Sequence, residues 1–158
     1  MAIKIQGANM TNDELLEKFN EAMTHDDIDG VVSLWAEDGV WEIMATGEKF
    51  SGLEQIRQLA IRSVAARTHP GAEKKETGLL PYNIFSNEDG TKFIWEYIHK
   101  GVVTDQWPAS ANKPKPGTVF ELPIILMCEV EDGKLTKLRE YFDLLTLIEA
   151  GTPHHLYS

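Results

Sequence analysis

Two Asp-Gly pairs, Asp89-Gly90 and Asp132-Gly133, each stand between long β-prone runs, and they constrain this chain more than any other feature. Asp-Gly supplies the left-handed backbone of a tight hairpin, so the runs on either side pair antiparallel. Four such runs follow one another, Leu79 to Ser86, Phe93 to Val103, Val119 to Val130 and Leu135 to Phe142. The remaining gap, Thr104 to Thr118, is long and carries Trp107, Pro108, Pro114 and Pro116. A loop of that length points to a functional cover or an interface.

The first half of the chain has a different period. Thr11 followed by Glu14 is a capping box, and Leu15, Leu16, Phe19, Ala22 and Met23 recur at helical spacing, which predicts a helix over Asn12 to Met23. A second apolar stripe, Ile28, Val31, Val32 and Trp35, predicts a short helix ended by Glu37-Asp38-Gly39. Val40 to Met44 reads as a strand and Thr46 to Lys49 as a turn. Leu53, Ile56, Leu59, Ala60 and Val64 predict a third helix, with Ser51 as its cap and Arg67 near its end. Leu144 to Ala150 reads as a closing helix stopped by Gly151 and Pro153. The expectation is one α+β domain over residues 1–158, a strongly bent antiparallel sheet wrapped by N-terminal helices around large side chains or a cavity.

Charge excludes some functions. A net charge of -10 repels nucleic acid and anionic membrane surfaces, so neither is an expected partner. The single Cys128 permits no intrachain disulfide, and its place in LPIILMCEV marks it as a small core residue. No run approaches the ~18 apolar residues of a membrane span, and a cytoplasmic location is expected. No phosphate loop, dinucleotide fingerprint or nucleophile elbow is present. The adjacent His154-His155 lack the spacing of a metal site, so no metal or other cofactor is expected.

One residue stands out chemically. Asp143, in REYFDLL, is a carboxylate among Tyr141, Phe142, Leu144 and Leu145. Desolvation there would raise its pKa and make it a proton carrier near neutral pH, whereas pairing with Arg139 or capping the closing helix would make it structural. Strand alternation puts Phe93, Trp95, Tyr97 and His99 on one face, and Lys137, Arg139, Tyr141 and Asp143 on another. If the two strands lie close, His99 and Asp143 form a proton-transfer pair with Tyr97 beside them. Trp41, Trp95, Phe120, Tyr141, Arg139 and Trp107 are the candidate pocket wall, and core packing is the simpler role for the aromatics.

The phrases HDDIDGVVSLWAEDGVWE, SGLEQIRQL and VEDGKLTKLREYFDLLTLIEAG together resemble the SnoaL-like family of the nuclear transport factor 2-like superfamily. The resemblance implies a cone of bent sheet with a pocket at its wide end and a homodimer formed through the sheet. It also implies that the aspartate closing REYFD, Asp143, is the catalytic carboxylate of polyketide cyclases and limonene epoxide hydrolases. The hydrolases' Arg-x-Asp pair is replaced here by Tyr97 and His99, and their Tyr-x-Asn pair by Trp41 and Ile43. The resemblance therefore implies cofactor-free acid/base chemistry of the cyclisation or isomerisation type on a small apolar molecule, rather than epoxide hydrolysis. The alternative is a binding or dimerisation module of the same fold.

Overall fold

A computed structural model describes residues 10–69, 78–107 and 115–145. Pro108 and Pro114, His154-His155 and most of the expected closing helix lie outside the described residues.

Helix α1 (Asn12–Thr24) opens on the expected capping box: Thr11 Oγ1 accepts from the Glu14 N–H at 3.2 Å and Glu14 Oε2 from the Thr11 N–H at 2.8 Å. Its five expected apolar positions are all buried. Helix α2 (Ile28–Ser33) is capped by Asp27 and stops short of Trp35, which begins strand β1 (Trp35–Ile43). Glu37-Asp38-Gly39 thus lies inside a strand rather than ending a helix. The pairing register slips between Trp35 and Val40, and at Gly39 a Cβ would fall 2.7 Å from the Trp35 ring. The missing side chain lets this irregular stretch cross the indole and stay in the sheet.

Thr46 to Lys49 is likewise only half a turn. Gly47 reverses the chain at φ 74°, and Glu48 pairs with Ile43 to start β2 (Glu48–Ser51). Gly52, not Ser51, occupies the N-cap of α3 (Leu53–Ala66), and the Ser51 N–H donates to Gln55 Oε1 at 2.8 Å. Arg67, expected near the helix end, begins the two-residue strand β3 (Arg67–Thr68). Then follow β4 (Gly78–Ser86), β5 (Lys92–Val103), β6 (Val119–Glu131) and β7 (Lys134–Phe142).

These strands form one seven-stranded curled sheet, ordered β2-β1-β7-β6-β5-β3, with β4 also paired to β5. All neighbours are antiparallel except β1 and β7, which run parallel. The β6–β7 turn has two residues, Asp132 at φ 50° and Gly133 at φ 73°, between the pair Glu131↔Lys134. That is the primed turn whose twist matches the sheet. The β4–β5 turn is longer, with Asn87 Oδ1 accepting from the Lys92 N–H at 2.9 Å.

One face of the curl is apolar. Phe93, Trp95 and Tyr97 of β5 face the same side as Leu122, Ile124, Leu126 and Cys128 of β6 and Leu138 of β7, all buried. Helices α1 and α3 cover this face through Leu15, Phe19, Ile56 and Leu59. Trp95 is 1% exposed, and the Phe19 ring meets it edge-on at 6.0 Å, so that end of the curl is solid. Gly133→Val forces a branched side chain into left-handed backbone and should cost about 1–2 kcal/mol, while Gly133→Asn should cost clearly less. Urea denaturation midpoints check this, and equal losses would contradict the turn assignment.

Candidate functional site

Past Trp95 the curl widens and its packing opens. A cavity of about 460 Å³ lies between the concave face of the sheet and α3, and its surface is mainly apolar. Trp41 and Ile43 of β1, Tyr97 and His99 of β5, Phe120, Leu122 and Ile124 of β6 and Phe142 of β7 form the sheet wall. Leu59, Ser63 and Ala66 of α3 form the wall opposite. Trp107 closes one side by packing edge-on against Phe120 at 5.7 Å. At the rim, Arg62 bridges both Glu48 oxygens, at 2.8 and 3.2 Å, and its guanidinium lies 5.3 Å from the Phe50 ring centre.

Two polar groups interrupt this apolar surface. The first is Glu140, part-buried on β7, whose side chain shares the inward face with Leu138 and Phe142. Its Oε2 accepts from Trp41 Nε1 at 2.9 Å. The parallel register makes that contact, because Trp41↔Leu138 and Ile43↔Glu140 put the indole and the carboxylate two rungs apart on the same face. Desolvation pushes the Glu140 pKa up to about 7, against the opposing pull of the Trp41 hydrogen bond and the Arg62 charge. Tyr97, buried on the cavity wall, has its phenol pKa raised well above the usual value by burial and then by the charge of Glu140. It therefore stays a hydroxyl donor.

The second is a basic cluster at the β3 end. Arg67 is 2% exposed, and its Nη1 donates to Asp26 Oδ1 at 2.7 Å and its Nη2 to the Met23 carbonyl at 3.1 Å. Its Nε is enclosed without a partner. Next to it, His69 Nδ1 lies 3.2 Å from the Thr24 carbonyl oxygen, and His69 Nε2 lies 3.0 Å from His99 Nε2. Burial and then the Arg67 charge lower both imidazole pKa values, His69 to about 4 and His99 well below the ordinary range. Both rings are neutral at physiological pH.

The expected residues divide between the two faces of the sheet. Tyr97, His99, Trp41, Phe120 and Trp107 line the cavity, and Trp95 lies in the core beneath it. Arg139, Tyr141 and Asp143 do share a face, as alternation requires, but it is the outer one. Asp143 is exposed, and its Oδ1 accepts from the Leu145 N–H at 2.9 Å, the geometry of a helix cap. The expected His99–Asp143 pair is therefore not formed, because the two side chains leave opposite faces of the sheet. Glu140, Arg67 and His69 were not anticipated. Glu140 carried a legible signal, since it is the polar member of the alternating series Leu138, Glu140, Phe142, Leu144. Arg67 and His69 carried none, because their inward placement follows from β3 pairing with the far end of β5, Arg67↔Val103.

Among the described residues no three His, Cys, Asp or Glu side chains gather as a metal site, and no helix is long and apolar enough to cross a membrane.

A curled sheet with helices over its concave face is the nuclear transport factor 2 and ketosteroid isomerase-like fold. The SnoaL-like domain matches residues 16–138, and the chain belongs to that family. Solved structures agree. A polyketide cyclase candidate from Pseudomonas putida superposes with a TM-score of 0.73 at 19% identity, covering 90% of this chain and 98% of that one. An isomerase candidate from Bacillus subtilis gives 0.69 at 20% identity, covering 89% and 93%. An LEH-like epoxide hydrolase from M. tuberculosis gives 0.62 at 18% identity, covering 86% and 85%. At these identities the likeness shows the fold alone. No curated protein matches the chain.

The raised pKa of Glu140 has a consequence for stability. The folded state holds the Glu140 proton more tightly than the unfolded chain, so this contribution is complete below the usual glutamate pKa and lost as pH rises through about 7. Glu140→Gln should leave stability at pH 5 nearly unchanged and raise it by about 1–3 kcal/mol at pH 8. Thermal unfolding across that pH range measures the difference.

Proposed function

We propose that this SnoaL-like chain is an enzyme that performs cofactor-free acid/base chemistry, of the isomerisation or cyclisation type, on a small, mainly apolar carbonyl compound held in the cavity. The observation that carries this reading is Glu140: a carboxylate in an apolar cavity, oriented by Trp41 Nε1 at 2.9 Å, with a pKa near 7. Such a group exists in both protonation states at neutral pH, as a general base that later acts as an acid must.

In this reading the Glu140 carboxylate removes a proton from the carbon next to the substrate carbonyl, and the electron pair moves onto the carbonyl oxygen. The Tyr97 hydroxyl, still protonated, donates to that developing oxyanion. The proton then returns from Glu140 to another carbon, which is isomerisation. Alternatively, the enolate carbon attacks a second carbonyl carbon and the new alkoxide takes the proton, which closes a ring. The apolar walls keep water from competing for the enolate. The neighbouring polyketide cyclase and isomerase candidates are compatible with either outcome. Glu140 thus takes the role first expected of Asp143, and Asp143 the capping role that was its alternative.

Hydrogen–deuterium exchange at the α-carbons of 2-tetralone, followed by NMR, tests the assignment. Glu140→Gln should slow enzyme-dependent exchange by ~10²–10⁴-fold, and Asp143→Asn should leave it within about 3-fold. Full activity in Glu140→Gln would remove Glu140 from the mechanism. Wild-type exchange no faster than buffer would instead favour a binding module without catalysis.

The outer face supports the expected pairing of two copies. Phe85 is 61% exposed, and Ile94 opposite it and Ile125 nearby are 36% and 40% exposed. Side by side on adjacent strands, they form an apolar patch of the kind that mediates association. Light scattering should give a dimer mass for the wild type and a shift toward monomer for Ile125→Asp.

A further inference from the structure

The basic end of the cavity holds a chain of hydrogen bonds whose direction is fixed by its first member. A carbonyl oxygen only accepts, so the Thr24 carbonyl at 3.2 Å requires a proton on His69 Nδ1. His69 is neutral, and its Nε2 is therefore a lone pair. The 3.0 Å contact to His99 Nε2 then requires that His99 carry its proton on Nε2, and its Nδ1 is in turn a lone pair. Among the described residues, the side-chain atoms that are both fully enclosed and unpartnered are Trp35 Nε1 and Arg67 Nε. His99 Nδ1 is not one of them and makes no hydrogen bond among the described residues, and His99 lines the cavity. Its lone pair is thus neither partnered nor fully enclosed, on a ring that lines that space.

We infer that His99 Nδ1 is a specificity element that accepts a hydrogen bond from a hydroxyl of the bound molecule, so the cavity selects small apolar compounds bearing an alcohol, phenol or enol O–H at the end opposite Glu140. The inference deepens the functional reading above by naming the ligand's second polar group. It replaces the proton-transfer role first expected of His99, because the relay from Thr24 through His69 makes this ring an acceptor. His69, which is not part of the cavity wall, is the positioning residue that holds the tautomer. The neutral state of both rings keeps the arrangement unchanged across ordinary pH. The nearby Arg67 does not replace it as the selecting group, since Asp26 and the Met23 carbonyl already hold that guanidinium. An O–H donated to Nδ1 instead satisfies an open acceptor that an ether or a hydrocarbon would leave unpaired, and a buried unpaired group is costly.

Calorimetric binding of 2-naphthol, 2-methoxynaphthalene, naphthalene and 2-naphthoate to the full chain tests this. The naphthol should bind about 10-fold tighter than the ether and the hydrocarbon, the worth of one net hydrogen bond. His69→Phe, which frees the His99 tautomer, should shrink that ratio to below 3-fold. Equal affinities for naphthol and ether would overturn the inference. So would tighter binding of the naphthoate, which would make Arg67 the selecting group. Independently of any ligand or variant, ¹⁵N imidazole spectra of the wild type should show His69 as the Nδ1–H tautomer and His99 as the Nε2–H tautomer; the opposite assignment would overturn it. Glu140→Gln separates the two readings, because it should abolish carbon-acid exchange while preserving the naphthol-to-ether ratio.

Discussion

A carboxylate inside an apolar wall has to be held by a donor, protonated, or both. Glu140 is held by Trp41 Nε1, and burial pushes its pKa up to about 7. Much of the architecture can be read from that one bond. Trp41 and Glu140 are far apart in the sequence, and the parallel pairing of β1 with β7 brings them two rungs apart on one face. The same indole stacks on Trp35 at 5.5 Å and lies 5.8 Å from Phe19, so the donor is fixed by the packed core beneath the cavity. The geometry at Glu140 is thus set by buried rings, which have no room to move, and not by loops.

The cavity is polar at two places, and the two differ in kind. At Glu140 the group exchanges its proton near neutrality. At His99 the protons are locked by a carbonyl, by burial and by the Arg67 charge. Glu140 on β7 and His99 on β5 both line the cavity, with Tyr97 on the wall between Trp95 and His99 along β5. In the proposed reading, chemistry and orientation fall to separate side chains.

The fold was legible because its signals are local. Period-two runs joined by Asp-Gly, a capping box and three helical stripes each determine a few neighbouring residues, and together they leave little choice of architecture. Boundaries slipped where a tertiary contact outweighed local preference, as at Glu37-Asp38-Gly39, which joins β1 by crossing the Trp35 ring. The site was only half legible. The shared face of Tyr97 and His99 followed from alternation, but which face of β7 turns inward did not. The motif drew attention to Asp143, whereas the apolar neighbours at alternate positions, Leu138 and Phe142, mark Glu140 as the inward carboxylate. Arg67 and His69 were beyond reach, since no pattern near them reports the distant β3–β5 pairing.

The parallel seam between β1 and β7 also bears on how the molecule forms. It joins residues about a hundred positions apart, including the bond from the Leu135 N–H to the Leu34 carbonyl. Contacts that distant in sequence pay a large loop-closure entropy before they return any energy, so they form late and slowly. As the chain emerges from the ribosome, α1 to α3 and the β4–β5 hairpin are made before β7 exists. β1 has β2 on one edge and α3 against it without β7, but its other edge is left unpaired until the final hairpin arrives. In this protein the Trp41–Glu140 contact and the closing of the sheet on β1 depend on one seam, so both are completed only when β7 pairs with β1.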